Sequence, residues 1–541
     1  MPNPIETVRN FMNDEGINYL LVNSTNKYLV EYCPLEENSR YFLTNFSGST
    51  GDVLVTPDKI LLFVDGRYHI QADLEVDHDK ITVVKLQTGQ NFLDELVKNI
   101  PENEILGIFS KKNSQKRVEF FNERGVKIKL LNFDPLKKEI EYDNSNIVQV
   151  EGIPVEEKVK NIDKTILITN LEEVSYLFNL RDFSQNYSSK IRGKAVIING
   201  RARLLDEIDD FVESYDGEIW VDKSSINAYD YALIGDKARI LKDSPIKLMK
   251  SIKTDEELEH YKECFRRTDL AVKAIRDYIE RHDDLSEFDI AEQLEKEFKK
   301  YGAKNLSFKS IVAKDKNSAL AHYSKCSKDE ILKDGSLVLI DCGAYYEQGL
   351  ATDITRVFVK GEPNELQKKV YTTVLKMFLG AYRILDSFED MQMNSGKWKV
   401  ESGKLNNFQL STFNFQLDSS HNSITGYDID NHAREIYAQN EIDGFVFNHG
   451  LGHGIGINVH EYPPNLSKNE MAKVEIKDGM CFTIEPGLYN EKHFGVRLEN
   501  SCYMKDGKIH SFTKMNYEKK LIDFSLLTEQ EKEWLKEFEV I

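Results

Sequence analysis

Hydrophobic and polar positions along the chain follow two periods, and these divide it into three stretches. In the first, short apolar runs stand between polar turns: 18–23 (NYLLVN), 52–56 (DVLVT), 59–65 (KILLFVD), 81–86 (ITVVKL) and 105–109 (ILGIF). Runs of that length and composition read as strands. Residues 92–100 (FLDELVKNI) carry helical spacing between two of them. The alternation predicts an α/β unit with a mixed or parallel sheet. A charged stretch at 137–146 (KKEIEYDNSN) reads as a boundary. The pattern then restarts with 165–170 (TILITN), 194–200 (KAVIING) and 218–222 (EIWVD), and ends near 245. Its similar pattern and size predict a second, related α/β unit.

From 246 the period lengthens. Leu258, Tyr261, Leu270, Ala274, Ile275 and Ile279 recur at helical spacing, and Thr254 followed by Asp255 and Glu256 makes a helix start. A second helix is predicted over 288–302, ending at Gly302. Apolar strands follow in SLVLIDCG, RVFV, GMCFTIE and FGVRLEN. This stretch predicts antiparallel β with helices packed on one face. Residues 387–423 are rich in Asn, Ser and Gln. They separate a helix ending near Leu385 from one opening at Thr425 and Asp428, the pattern of a capping box. An insertion of that length is either functional or tolerated, and tolerance is the favoured reading.

A chain of 541 residues is too long for one core, and its length predicts three domains of about 150 residues each. The expected division is 1–145, 146–245 and 246–541. A net charge of −19 argues against non-specific binding to nucleic acid or an anionic membrane. The N-terminal residues lack the pattern of a signal peptide, and no run of about 18 apolar residues is present. The six cysteines are scattered without a CxxC pair, which fits a reduced cytoplasm. Cys342 and Cys481 lie beside the motifs below and read as small buried hydrophobes rather than nucleophiles.

The chemistry concentrates near the end. Asp341 closes the apolar run of LIDCG, and Asp353 in ATDITR opens the next across a loop containing Gly343 and Gly349. A hairpin would bring both acids together, where each raises the other's pKa unless a cation intervenes. Alone, such a pair is more often structural. Of 12 histidines, His449, His453 and His460 fall close together, the first two within the glycine-rich NHGLGHGIG. Glycine at alternate positions lets a metal or ligand approach the backbone. Glu485 in TIEPGLY follows a strand. Arg497 and Glu499 in VRLEN are two apart and share a strand face. An oxygen-rich ligand set with few imidazoles suits manganese, cobalt or magnesium better than copper, with zinc as a further alternative. Two such ions can share one water and lower its pKa.

These motifs resemble the pita-bread metallopeptidase family, which includes methionine aminopeptidase, prolidase and aminopeptidase P. The likeness extends over nearly the whole chain to the long, three-domain form of the Xaa-Pro aminopeptidase (aminopeptidase P) branch. It rests also on 41–72 (YFLTNFSGSTGDVLVTPDKILLFVDGRYHIQA), 168–182 (ITNLEEVSYLFNLRD) and 519–538 (KKLIDFSLLTEQEKEWLKEF).

The resemblance implies two creatinase-type α/β domains ahead of a pita-bread α+β catalytic domain. It implies Asp353 and Glu499 as ligands to both of two divalent metals, most often Mn²⁺ with Co²⁺ or Zn²⁺ as alternatives. Asp341 would complete one site, and His453 and Glu485 the other. Glu485 would also accept a proton from the bridging water. His460 would meet the scissile carbonyl, His322 in AHYS and His449 would orient substrate or relay protons, and Arg497 would orient the ligands. The implied reaction is hydrolysis of the first peptide bond when proline is second, by a hydroxide shared between the metals. The implied protein is a cytoplasmic homodimer with no nucleic-acid or membrane partner.

The two aspartates are twelve apart, one more than the family pattern, through Leu350-Ala351. The alternatives are an Xaa-Pro dipeptidase with the same metals and a non-catalytic binding module on the same fold.

Overall fold

The computed structural model describes residues 3–87, 90–137, 144–394 and 423–538. The chain divides into two compact units. The first comprises Met1–Lys250 with Leu320–His322 and Glu347–Gly349.

Two sheets build this first unit. One has the spatial order Thr82–Lys85, Ile60–Val64, Asp52–Val55, Tyr19–Val22, Ile105–Phe109, Lys127–Leu131. The other runs Arg201–Leu205, Lys194–Ile198, Ile166–Ile168, Ile219–Val221, Ala238–Ile240. Both follow one plan. Tyr19–Val22 and Ile166–Ile168 each have an antiparallel hairpin on one side and two parallel strands on the other. The first sheet adds Thr82–Lys85 in parallel at its edge.

The apolar runs are continuous because both sheet faces are covered. Leu20 and Val22 pack with Val53, Val55 and Leu62, whereas Leu21 packs with Leu54, Phe63, Leu106 and Ile108 in a separate core.

The second unit comprises Ser251–Ala319, Tyr323–Tyr346 and Leu350–Ile541. Its helix Asp255–Arg281 opens on a complete capping box, in which Thr254 and Glu257 satisfy each other's backbone N–H groups. Such a cap contributes about 1 kcal/mol. The next helix spans Glu287–Lys300 and is capped by Ser286 and Asp289. Three antiparallel strands follow in the order Ile311–Lys314, Leu337–Cys342, Ile354–Val359. A second antiparallel sheet runs Glu461–Leu466, Gly452–Gly454, Cys481–Ile484, Asn500–Lys505, Lys508–Ser511.

The expectation of helices on a single face is corrected for the three-stranded sheet. Val338, Ile340, Ile354 and Phe358 pack in the core that includes Val272, Ile275, Ile290 and Leu294 of the first two helices. Leu337, Leu339 and Val357 belong to the core that includes Val374, Phe378, Ile429 and Ala433 of two later helices. Those helices are Glu365–Asn394 and Gly426–Gln439. The former runs beyond the end expected near Leu385. The latter starts at Thr425 with Asp428 completing its box, as the sequence predicts. The insertion read at 387–423 lies outside the described residues from 395 to 422.

Candidate metal centre

The hairpin formed by Leu337–Cys342 and Ile354–Val359 pairs Asp341 with Thr355 and Cys342 with Ile354. Asp353 therefore sits at the mouth of the hairpin, two residues from the partner of Asp341. The chain can turn there because Gly343 has no side chain: a Cβ would lie 1.8 Å from the Thr352 carbonyl oxygen. Backbone pairing fixes the loop between the two aspartates. Ala351 bridges to Tyr345, and its N–H donates to the Gly456 carbonyl at 2.7 Å.

The second sheet brings the remaining residues. Glu499 precedes the strand Asn500–Lys505, and its N–H donates to the Thr355 carbonyl at 3.2 Å, which links it to the aspartate hairpin. His453 lies in Gly452–Gly454, where its N–H donates to Thr483 Oγ1 at 3.1 Å. A Cβ on Gly452 would meet the Thr483 carbonyl oxygen at 2.0 Å, so the close strand approach requires glycine. The Glu485 N–H donates to the Leu451 carbonyl at 2.7 Å.

Side-chain atoms of Asp353, His453 and Glu499 lie within 4.8 Å of one another. His453 Nε2 is 3.6 Å from Asp353 Oδ2 and 3.5 Å from Glu485 Oε1. Arg497 Nη2 donates to Asp341 Oδ2 at 2.6 Å, and its Nε lies 3.9 Å from Glu485 Oε2. Thr355 Oγ1 donates to Glu499 Oε2 at 2.8 Å and accepts from Arg497 Nε at 3.2 Å. One oxygen of Asp341 and one of Glu499 are thus held by hydrogen bonds. Oδ1 of Asp341, Oδ1 of Asp353 and Oε1 of Glu499 are buried without any hydrogen-bond partner.

Three orphaned carboxylate oxygens in one place are costly unless something positive sits among them. Burial pushes the Asp353 carboxyl well above the ordinary range, and the charges of Glu499, Asp341 and Glu485 push it further. Glu499 is raised by the same causes, burial first and then Glu485 and Asp341. Burial opposes the charge of Arg497, but Tyr489, Asp341 and Glu485 keep its pKa well above the ordinary value. One guanidinium cannot balance four acids. A donor set of carboxylate oxygens and one imidazole, with free lone pairs converging, fits hard divalent cations.

The three flanking histidines are distributed differently. The ring of His460 stands 4.4 Å from that of His453 at 78°. His449 Nε2 is 2.9 Å from the Tyr489 hydroxyl, which also accepts from Arg497 Nη1 at 2.7 Å. His322 groups with the first compact unit, its ring 5.3 Å from that of Tyr68.

Thr355 and Tyr489 carry no role in the sequence reading, although both lie within its motifs. Thr355 shares strand parity with Asp353, a signal that could have placed it on the ligand face. No comparable signal marks Tyr489.

Comparison with known proteins agrees with this architecture. The profile described as "Metallopeptidase family M24" matches residues 259–387 and 415–506. That described as "Creatinase/Prolidase N-terminal domain" matches residues 4–140. A relative from Coprinopsis cinerea, named probable Xaa-Pro aminopeptidase P, is 26% identical over 628 aligned residues, covering 99% of this chain and 93% of that protein. Xaa-Pro aminopeptidase 1 of Dictyostelium discoideum is 27% identical, covering 99% and 91%.

The crystal structure of an X-prolyl aminopeptidase from Caenorhabditis elegans, described as a cytosolic enzyme with a di-nuclear active site, superposes with a TM-score of 0.83. It is 20% identical and covers 99% of this chain and 95% of that one. At that identity the likeness speaks to the fold: creatinase-type α/β domains ahead of a pita-bread domain. The peptidase part of the chain, residues 259–387 and 415–506, thus matches metallopeptidase family M24, and residues 4–140 ahead of it match a creatinase/prolidase N-terminal domain.

Proposed function

We propose that the protein is a metal-dependent aminopeptidase that releases the first residue from peptides with proline in second place. The observation that carries the proposal is the trio of buried, partnerless carboxylate oxygens on Asp341, Asp353 and Glu499 beside His453 and Glu485. Relatives named Xaa-Pro aminopeptidase, aligned over nearly the whole chain, support the substrate class.

In this reading Asp353 and Glu499 would serve both of two divalent ions, Mn²⁺ foremost. Asp341 completes one site, and His453 and Glu485 complete the other. Ions held there would supply an activated water and polarise the scissile carbonyl. Glu485 takes the proton of the attacking water. His460 donates a hydrogen bond to the carbonyl oxygen as charge develops on it. His449 and His322 orient the peptide, and Arg497 with Thr355 keeps the acids in register. As the water oxygen bonds to the carbonyl carbon, the bond from that carbon to the prolyl nitrogen breaks, and the nitrogen leaves with the proton that Glu485 took. A prolyl nitrogen offers no hydrogen to the site, so selection falls on the shape of the ring.

The proposal extends to a cytoplasmic homodimer and to domains at 1–145, 146–245 and 246–541. The shared plan of the two sheets in the first unit supports the division near 145. The charge of −19 supports peptides rather than nucleic acid or anionic membrane as partners.

The test is hydrolysis of Xaa-Pro peptides of increasing length, with and without added Mn²⁺. Cleavage of tripeptides and longer peptides, lost on chelation and restored by the metal, is the expected result. Activity confined to dipeptides would make the protein a dipeptidase instead.

A further inference from the structure

One buried ion pair lies close to the centre and takes no part in the chemistry above. Lys253 and Glu461 are 208 positions apart and bond directly, with side chains only 4% and 1% exposed. A pair so enclosed returns little net stability compared with apolar residues of the same volume, because both charges must be stripped of water. Its place in the fold indicates what else it provides. Glu461 directly follows His460.

The Glu461 carboxylate is the hub of the turn that carries His460. Its Oε2 accepts the Ile457 N–H at 3.1 Å. A Cβ on Gly456 would lie 2.3 Å from each carboxylate oxygen, so glycine is what admits the carboxylate to the turn. The Gly456 N–H donates to the Asn458 carbonyl at 3.0 Å, and Asn458 Nδ2 donates to the His460 carbonyl at 3.0 Å. The Gly456 carbonyl receives the Tyr261 hydroxyl at 3.2 Å and the Ala351 N–H at 2.7 Å.

At the other end, the Lys253 N–H donates to the Gly479 carbonyl at 2.8 Å, and Lys253 immediately precedes Thr254, the cap of the long helix. The backbone of Glu461 pairs with Gly454, the neighbour of His453. The pair therefore joins a helix start to the turn between two histidines whose rings stand 4.4 Å apart.

We propose that Lys253 and Glu461 are positioning residues for His460, fixing its ring where it meets the carbonyl oxygen of the substrate. The positional claim stands on the contacts above, and its catalytic consequence rests on the function proposed for His460. A misplacement of about 1 Å in a site of this kind can cost about 100-fold in rate.

The test uses the full chain loaded with Zn²⁺, carrying Glu461→Gln or, independently, Lys253→Met. The His460 ring resonance is assigned by its loss in His460→Ala. It is expected to shift or broaden in both variants while the bound metal per chain stays at the wild-type value. With an Xaa-Pro tripeptide, kcat is expected to fall about 100-fold with KM little changed. Adding Glu461→Gln to His460→Ala is expected to cause no further loss.

An unmoved His460 resonance would overturn the proposal, as would losses that multiply in the double variant. Unfolding of both single variants alongside a folded His460→Ala would assign the pair to stability and overturn it equally. If His460→Ala keeps wild-type kcat while its resonance in the parent still depends on Glu461, the positional claim stands and the role proposed for His460 falls.

Discussion

Arg497 grips one oxygen of Asp341 at 2.6 Å and leaves the other without a partner. The same guanidinium donates to Thr355, which in turn holds one oxygen of Glu499, and to Tyr489, which touches His449. A single planar cation thus sets the facing directions of two acids 158 positions apart in the chain, one directly and one through Thr355. Lysine has neither the fork nor the reach to make three such bonds at once. Arg497→Lys is expected to lower kcat/KM and metal affinity by about 10- to 100-fold. Titration of the metal-free protein with Mn²⁺ checks this. Wild-type affinity in the variant would remove Arg497 from its place behind the ligands.

Metal uptake should depend on pH in a defined direction. Asp353 and Glu499 are raised well above the ordinary carboxylate range by burial and by their acidic neighbours. In the metal-free protein they hold protons more firmly than the unfolded chain does. Their contribution to stability is therefore present at low pH and is lost as pH rises from the unfolded carboxylate pKa through the raised folded value. A metal must displace those protons. Apparent affinity for Mn²⁺ is expected to rise with pH, and the gain in Tm on adding metal is expected to grow with it. Calorimetry in buffers of different ionisation enthalpy should register proton release. Uptake without proton release would contradict the assignment of these two acids.

Gly452 tests the strand contact that carries His453. Gly452→Ala would place a methyl 2.0 Å from the Thr483 carbonyl oxygen, so the two strands must separate. The variant is expected to lose about 1–3 kcal/mol of stability and to bind metal less tightly than the wild type. Thermal unfolding with and without Mn²⁺ measures both effects. An unchanged Tm would show that the strands can part freely.

Asp269 offers a control outside the candidate ligand set. It is buried on the long helix, and burial pushes its pKa up to about 7 despite the Lys514 N–H that it accepts at 2.7 Å. Because the folded value exceeds the ordinary 3.8, its favourable contribution is complete below that pH and is lost as pH climbs to about 7. Asp269→Asn keeps an acceptor for Lys514 and removes the charge. It is expected to be more stable than the wild type at pH 8, by on the order of 1 kcal/mol, with the advantage shrinking towards pH 4. Urea denaturation at the two pH values decides it. Equal differences at both would show that Asp269 does not titrate in this range.

Much of this architecture was legible in the sequence because it follows from local rules. The acids at strand ends, the glycines of NHGLGHGIG and the capping residues Thr254 and Thr425 each act within a few positions of themselves. Apart from Thr355, what was missed depends on distant partners. Tyr489 gains its meaning from His449, forty positions earlier, and Lys253 from Glu461, 208 positions later. The covering of both faces of Leu337–Cys342 was missed for a related reason. A continuous apolar run shows that a strand is enclosed but does not show which helices enclose it.

The most direct measurement concerns Asp353, which sits at the mouth of the hairpin with His453 and Glu499 beside it. Metal per chain and hydrolysis of an Xaa-Pro tripeptide are measured on the same preparations of wild type and Asp353→Asn. The account predicts two ions per chain in the wild type. In the variant it predicts fewer ions, a native unfolding transition and a loss of activity of at least about 100-fold. Full activity in Asp353→Asn, or a fully active wild type that holds no metal, would contradict it.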